Sequence, residues 1–88
     1  MAPEVLQHGD GLPTDHRELH NVYGQQMVRA VYEGLKKHAP AQRPFVITRA
    51  SYSGTRRWAT SWTGDNTSSW KHLKLALWQC LSLNVCGE

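Results

Sequence analysis

Only one stretch of this chain reads as a complete strand, and a strand without a partner is not a sheet. Arg43-Pro44 holds the backbone extended, and Phe45-Val46-Ile47-Thr48 follows as a β-branched run with almost no polar interruption. A strand buried on both faces of a parallel sheet reads this way, so we expect a strand over 44–48. Helical patterns flank it on both sides. Asp15 with Glu18 three residues on is a capping-box start, and Leu19, Val22, Tyr23, Met27, Ala30 and Val31 follow on one 3.6-residue stripe. Lys36, Lys37 and His38 suit the negative end of the helix dipole and Pro40 stops the chain, which gives a helix over 15–38. Its Tyr23/Met27/Val31 stripe is expected to be core. Gly24 and Gly34 inside it point to close packing or a fraying end.

Residues 1–14, with two prolines and two glycines, read as a loop, and 49–66 return to turn chemistry. A second helix is expected over 67–82, with Trp70, Leu73, Leu77, Cys80 and Leu81 on one face and Leu75, Ala76 and Trp78 widening it. So broad an apolar surface wants a large partner. Leu83-Asn84-Val85-Cys86 then reads as the approach to another strand. The order loop, helix, strand, long loop, helix is the rhythm of an α/β protein with parallel strands. The chain therefore reads as a segment of a larger barrel or doubly wound sheet, not a complete domain.

Composition narrows the function. No apolar stretch approaches the roughly 20 residues that cross a bilayer, so no membrane partner is expected. The N-terminus has neither a basic nor an apolar leader region, which gives the expectation of a cytoplasmic protein. Cys80 and Cys86 are too few for a disulfide framework or a zinc site and read as reduced thiols. His16 and His20 lie four apart on a helix face, but no third ligand accompanies them and no metal is expected. Residues 44–88 carry five basic side chains against Asp65 and Glu88 alone. No recognised nucleic-acid motif accompanies that excess, and no nucleic-acid partner is expected. The more useful point is that Asp65 is the only carboxylate side chain between Glu33 and Glu88.

In parallel α/β architectures the reactive groups lie at the C-terminal ends of strands. Here that place is the loop 49–66, with Arg49, Arg56, Arg57, Trp58, Trp62, Asp65 and Asn66. Indoles stack on the apolar faces of sugar rings, and guanidinium groups donate paired hydrogen bonds. Gly64 lets the backbone turn tightly ahead of Asp65. Gly64-Asp65-Asn66 also reads as ordinary turn and N-cap chemistry ahead of a helix, and the tryptophans as core.

Four stretches carry a resemblance. These are Arg43-Pro44-Phe45-Val46-Ile47-Thr48-Arg49, Ser53-Gly54-Thr55-Arg56-Arg57-Trp58-Ala59, Trp62-Thr63-Gly64-Asp65-Asn66 and Ser68-Ser69-Trp70. In order and spacing they resemble glycoside hydrolase family 31, the α-glucosidase family. Upstream, Asp15-His16-Arg17-Glu18-Leu19-His20-Asn21-Val22-Tyr23-Gly24 and Tyr32-Glu33-Gly34-Leu35 look like the family's preceding helix. The resemblance implies a partial (β/α)8 TIM barrel, retaining hydrolysis of α-glycosidic bonds, an α-glucoside substrate and no cofactor. It implies that Asp65 is the general acid/base, that Arg57 hydrogen-bonds the sugar at the cleavage point, and that Trp62 walls that pocket. Arg49 and Asn66 are implied as supporting residues.

A general acid must hold its proton near neutral pH, and a retaining glycosidase places an ionised nucleophile roughly 5–5.5 Å from it. The family's nucleophile lies in a Trp-x-Asp-Met-Asn-Glu motif, expected upstream of Met1. The remainder of the barrel is thus the implied partner, and the chain alone is expected to be inactive. Lys71 stands where the family usually has an acid that completes a capping box with Ser68, and Arg56 where a neutral Gln is common. Three functions are open: a glycoside hydrolase segment, a non-catalytic carbohydrate-binding or interaction remnant of the same family, and a small basic nucleic-acid binder, which only steep salt-dependent DNA binding would revive.

Overall fold

The computed structural model describes residues 1–8 and 11–86. A short antiparallel pair comes first, β1 (Leu6–Gln7) with β2 (Thr14–Asp15), so the segment expected as a loop over 1–14 folds back on itself. Residues 9 and 10 of that segment lie outside the described residues. Asp15 caps α1 (His16–Leu19), its Oδ1 accepting from the Glu18 amide at 3.4 Å. The helix expected over 15–38 is in fact two. A turn closed by Val22 N–H donating to the Leu19 carbonyl (3.1 Å) separates α1 from α2 (Tyr23–His38). The break falls at His20-Asn21, whose side chains bond each other at 3.2 Å, and short polar groups of this kind compete with the helical backbone.

The strand expected over 44–48 shortens to β3 (Ile47–Thr48). Its partner lies inside the stretch expected to be all loop: β4 (Thr60–Ser61) pairs with it in parallel, Ile47 opposite Thr60 and Thr48 opposite Ser61. Thr60 N–H donates to the Val46 carbonyl at 2.9 Å and Trp62 N–H to the Thr48 carbonyl at 2.8 Å. A 3₁₀ turn, Thr55–Arg57, leads into β4. The second helix, α3 (Trp70–Cys86), starts later than expected and runs on through 83–86, where an approach to a strand was expected. No glycine or proline interrupts residues 65–86, so nothing in the sequence breaks the helix there. Its N-cap is Ser69, not Ser68: the Ser69 hydroxyl accepts from His72 N–H at 3.2 Å, and the Ser69 carbonyl takes the first helical bond from Leu73 N–H. Lys71 therefore sits one position short of the reciprocal place in a capping box.

The buried centre is small. Val28 is the one fully apolar side chain buried among the described residues, joined by His16, Thr48 and Thr55. Tyr23, Met27 and Val31, expected as core, are 39%, 51% and 47% exposed, and Phe45 and Ile47 of the strand are open as well. The reason is which face of α2 has something to cover it. Gly24 and Val28 are buried, whereas the Tyr23/Met27/Val31 stripe is left uncovered by the described residues. On α3 no residue is buried; Trp70, Leu77, Trp78, Leu81 and Val85 all lie open. The accessible surface is 7139 Å², against about 5,200 Å² for a folded monomer of this mass. The radius of gyration is 15.5 Å, against about 12 Å for a compact domain of this length. The described residues form no closed barrel. They are one parallel strand pair with helices whose apolar faces are open.

Gly24 is the tightest point of packing. A Cβ built there would lie 2.5 Å from both the Cβ and the carbonyl oxygen of Ala50, whereas at Gly34 it would meet nothing within 4 Å. Of the two readings for these glycines, close packing holds at Gly24. Gly34→Ala is expected to stabilise α2 by up to about 1 kcal/mol through helix propensity. Gly24→Ala is expected to destabilise the chain by about 1–3 kcal/mol through overpacking. Urea-unfolding midpoints of the two variants measure the opposite signs.

Candidate active site at the ends of the parallel pair

The parallel pairing gives β3 and β4 a common direction, so the residues just past each strand emerge side by side. Arg49 comes after β3 and Trp62 after β4. The Arg49 guanidinium carbon lies 5.2 Å from the centre of the Trp62 ring, within cation–π range. Three residues beyond Trp62, the chain turns at Gly64 and presents Asp65. Its Oδ2 lies 3.5 Å from Arg49 Nη1. Arg49, Trp62 and Asp65 thus form one cluster: a carboxylate, a guanidinium and a flat indole.

Local chemistry sets each member. Gly64 has φ +99°, a left-handed conformation that an L side chain adopts only at a cost, and it aims the next residue. Asn66 closes the same turn, its Nδ2 donating to Thr63 Oγ1 at 3.0 Å and its amide to the Gly64 carbonyl at 3.1 Å. The helix cap is Ser69, so the N-cap reading of Asp65 is set aside; its carboxylate meets Arg49 instead. The ion pair is exposed, with side chains 63% and 73% accessible, and is worth about 0.2–1 kcal/mol at most. It does not hold the loop in place.

The loop is held by a group of small polar residues that motif and spacing do not single out. Thr55 is fully buried; its hydroxyl donates to the Tyr52 carbonyl at 2.6 Å and accepts from Tyr52 N–H at 2.9 Å. Thr48 Oγ1 accepts from Ala50 N–H at 3.0 Å, and the Ser51 and Ser61 hydroxyls bond each other across the pair. From α2, Gln25 Nε2 donates to the Ser53 carbonyl at 3.1 Å. From the end of α3, the Cys86 carbonyl accepts from Ser53 Oγ at 3.3 Å. The signal for Thr55 lies in its place after Gly54, which has φ +93°: a hydroxyl there can close a turn onto its own backbone.

Arg57 is placed elsewhere. It belongs to the turn that leads into β4, and it lines a cavity with Arg43, Pro44 and Phe45, which lead into β3. That is the opposite end of the strand pair from Asp65. The structure therefore brings together Arg49, Trp62 and Asp65, keeps Asn66 in the adjoining turn, and separates Arg57 from them. The second strand decides this, and Thr60-Ser61 is too short to stand out in a turn-rich stretch.

The histidine pair makes a local packing cluster. His16 is buried, its Nδ1 2.7 Å from Gln7 Nε2, with the His20 ring 5.2 Å and the Tyr23 ring 5.6 Å from its own. Among the described residues no group of three or more His, Cys, Asp or Glu is placed to hold a metal ion. No described helix is long and apolar enough to cross a membrane. Cys80 and Cys86 are exposed and unbridged.

A polar loop at the C-terminal end of parallel strands, with one carboxylate against a guanidinium and an indole, stands where parallel α/β architectures carry their reactive groups. Comparison gives the family. Residues 2–88 match the glycosyl hydrolases family 31 TIM-barrel domain, and the chain belongs to that family. It is 49% identical over 87 residues to "Alpha-glucosidase 2" of Bacillus thermoamyloliquefaciens, covering 99% of this chain and 11% of that protein. It is 43% identical over 74 residues to "Neutral alpha-glucosidase AB" of Homo sapiens, covering 83% of this chain and 8% of that protein. A "Probable glucan 1,3-alpha-glucosidase" of Oryza sativa subsp. japonica is 40% identical over 88 residues, 99% of this chain and 9% of the relative. The chain thus spans about a tenth of the length of the curated relatives it matches.

At Gly64 a Cβ would meet nothing within 4 Å, so substitution there is opposed by backbone strain alone. Gly64→Ala is expected to cost about 1–2 kcal/mol. The urea midpoint measures it, with Gly11→Ala, which has open space and no left-handed backbone, as the reference.

Proposed function

We propose that this chain supplies the acid/base side of the active site of a retaining α-glucosidase-type glycoside hydrolase, with Asp65 as the general acid/base. The observation that carries the proposal is the Arg49–Trp62–Asp65 cluster at the C-terminal end of the parallel pair. In the first step the Asp65 carboxylic acid gives its proton to the glycosidic oxygen as the bond to the anomeric carbon breaks. A second carboxylate takes that carbon and forms the glycosyl-enzyme. In the second step Asp65, now a carboxylate, takes a proton from the water that attacks the anomeric carbon. The sugar departs with its configuration retained.

The remaining members bind. The Trp62 ring is 46% exposed and offers an apolar face to a sugar ring. Arg49 lies against both the acid and the indole, so its guanidinium donates to hydroxyls of the sugar held at the cleavage point. Geometry favours Arg49 over Arg57 for that task, since Arg57 faces the other end of the strands. Asn66 shapes the turn that presents the acid. The family relationship and the open faces of α2 and α3 support a barrel as the setting in which this site works.

The second carboxylate fixes what the chain does alone. The group set against Asp65 here is a guanidinium, and one carboxylate cannot serve as both acid and nucleophile. The isolated 88-residue chain is therefore expected to release no product from an aryl α-glucoside.

Function is best read in a chimera, with residues 2–88 replacing the matching stretch of the Bacillus α-glucosidase 2. The chimera is expected to hydrolyse α-glucosides. Asp65→Asn within it should lower kcat by at least about 10³-fold, as loss of the acid/base requires. Arg49→Gln should lower kcat/KM by about 10-fold or more, and Arg57→Gln by less. Parent-like turnover in the Asp65→Asn chimera removes Asp65 from its role. A well-folded chimera that binds sugar without cleaving it supports the carbohydrate-binding remnant instead.

A further inference from the structure

The six arginines of the chain divide into two sets. Arg17 pairs with Asp15 at 3.2 Å, Arg29 with Glu33 at 2.9 Å, and Arg49 with Asp65 at 3.5 Å. Among the described residues Arg43, Arg56 and Arg57 have no carboxylate partner, and all three line a single open cavity of about 440 Å³. Its remaining walls include three aromatic rings, Tyr32 from α2, Phe45 ahead of β3, and Trp58 ahead of β4. Arg29, paired with Glu33, lies 6.0 Å from the centre of the Trp58 ring. The cavity lies at the opposite end of the strand pair from Asp65, so it is no part of the site described above.

We propose that this cavity binds a small oxyanion that carries a ring, a phosphate- or carboxylate-bearing sugar being the simplest compound of that kind. Three observations converge on it. Three arginines from two separate segments line one space, and guanidinium forks match the paired oxygens of phosphate and carboxylate. Three aromatic side chains supply apolar faces for a ring. The volume is within the range of small-molecule sites. Among the described residues the two carboxylates nearest this set are already engaged, Glu33 by Arg29 and Asp65 by Arg49. Arg56 sharpens the point: the family resemblance leads one to expect a neutral Gln there, and the Arg adds the third charge. The site does not depend on the hydrolytic reading of Asp65.

The test is a titration of the 88-residue chain at low ionic strength with glucose 6-phosphate, glucuronate and neutral glucose. It is read by NMR on the arginine Nε–H and tryptophan indole N–H resonances. Saturable shifts of the Arg56, Arg57 and Trp58 signals are expected with at least one of the two anions and not with glucose. Which anion binds tells a phosphate from a carboxylate head. Arg57→Gln and Arg56→Gln should each weaken binding about tenfold, and Arg56, exposed and with no side-chain hydrogen bond among the described residues, can be replaced without harm to the fold. Arg17→Gln, an equal loss of charge away from the cavity, should leave binding within about twofold, and raised salt should weaken it. The proposal is overturned if neither anion gives saturable shifts, if glucose binds as well as the anions, or if Arg17→Gln weakens binding as much as Arg57→Gln.

Discussion

Two backbone hydrogen bonds, Thr60 N–H to the Val46 carbonyl and Trp62 N–H to the Thr48 carbonyl, fix everything that matters in this chain. They make β3 and β4 parallel. Parallel strands share a direction, so the residues leaving both strands lie at one end and the residues entering both lie at the other. Arg49, Trp62 and, one turn on, Asp65 gather at the first end. Arg43, Arg56 and Arg57 gather at the second. Were the pair antiparallel, Arg49 and Trp62 would emerge at opposite ends, and Arg43, which leads into β3, would approach the acid in place of Arg49.

So short a pair needs support, and it comes from polar contacts more than from apolar burial. Val28 alone among the described apolar residues is buried. Thr55 ties the connecting turn to Tyr52 with two hydrogen bonds from a single hydroxyl, and Thr48 ties the start of the loop. The first turn of α2 meets the same loop through Gly24, which admits Ala50, and Gln25, which holds Ser53. Ala50 adjoins Arg49, so the approach of α2 bears directly on where the guanidinium stands. The wide apolar face of α3 contributes no buried residue to this arrangement, as a helix does when its cover comes from the rest of a barrel.

Much of this is legible in the residues. The helical pattern of α2, the Asp15 cap, the strand after Arg43-Pro44 and the family come from pattern and motif, although the Tyr23/Met27/Val31 stripe expected as core is exposed. At Gly24 the residues left close packing and a fraying end open, and the approach of Ala50 decides between them. Three things do not. His20-Asn21 divides the first helix because their local bonds compete with the backbone, and no glycine or proline marks that place. The stretch 83–86 is helical because nothing stops α3, although Leu, Val and Cys suit a strand equally well. Thr60-Ser61 is a strand only because Ile47-Thr48 lies beside it. That last point governs the site: once Thr60-Ser61 is a strand, Arg57 stands before it and Asp65 after it, and the parallel pairing sets Arg49 beside Trp62.

The neighbourhood of Trp62 is where the parallel pairing can be read most directly, and one spectrum reports it. With 5-fluorotryptophan at all four positions, the 88-residue chain gives four ¹⁹F resonances, and Trp58 and Trp62 are assigned by replacing each with Phe. Arg49→Gln is predicted to move the Trp62 resonance and leave Trp58 in place, while Arg57→Gln moves Trp58 and leaves Trp62. If Arg49→Gln moves Trp58 and leaves Trp62 in place, the parallel pairing and the site built on it are contradicted.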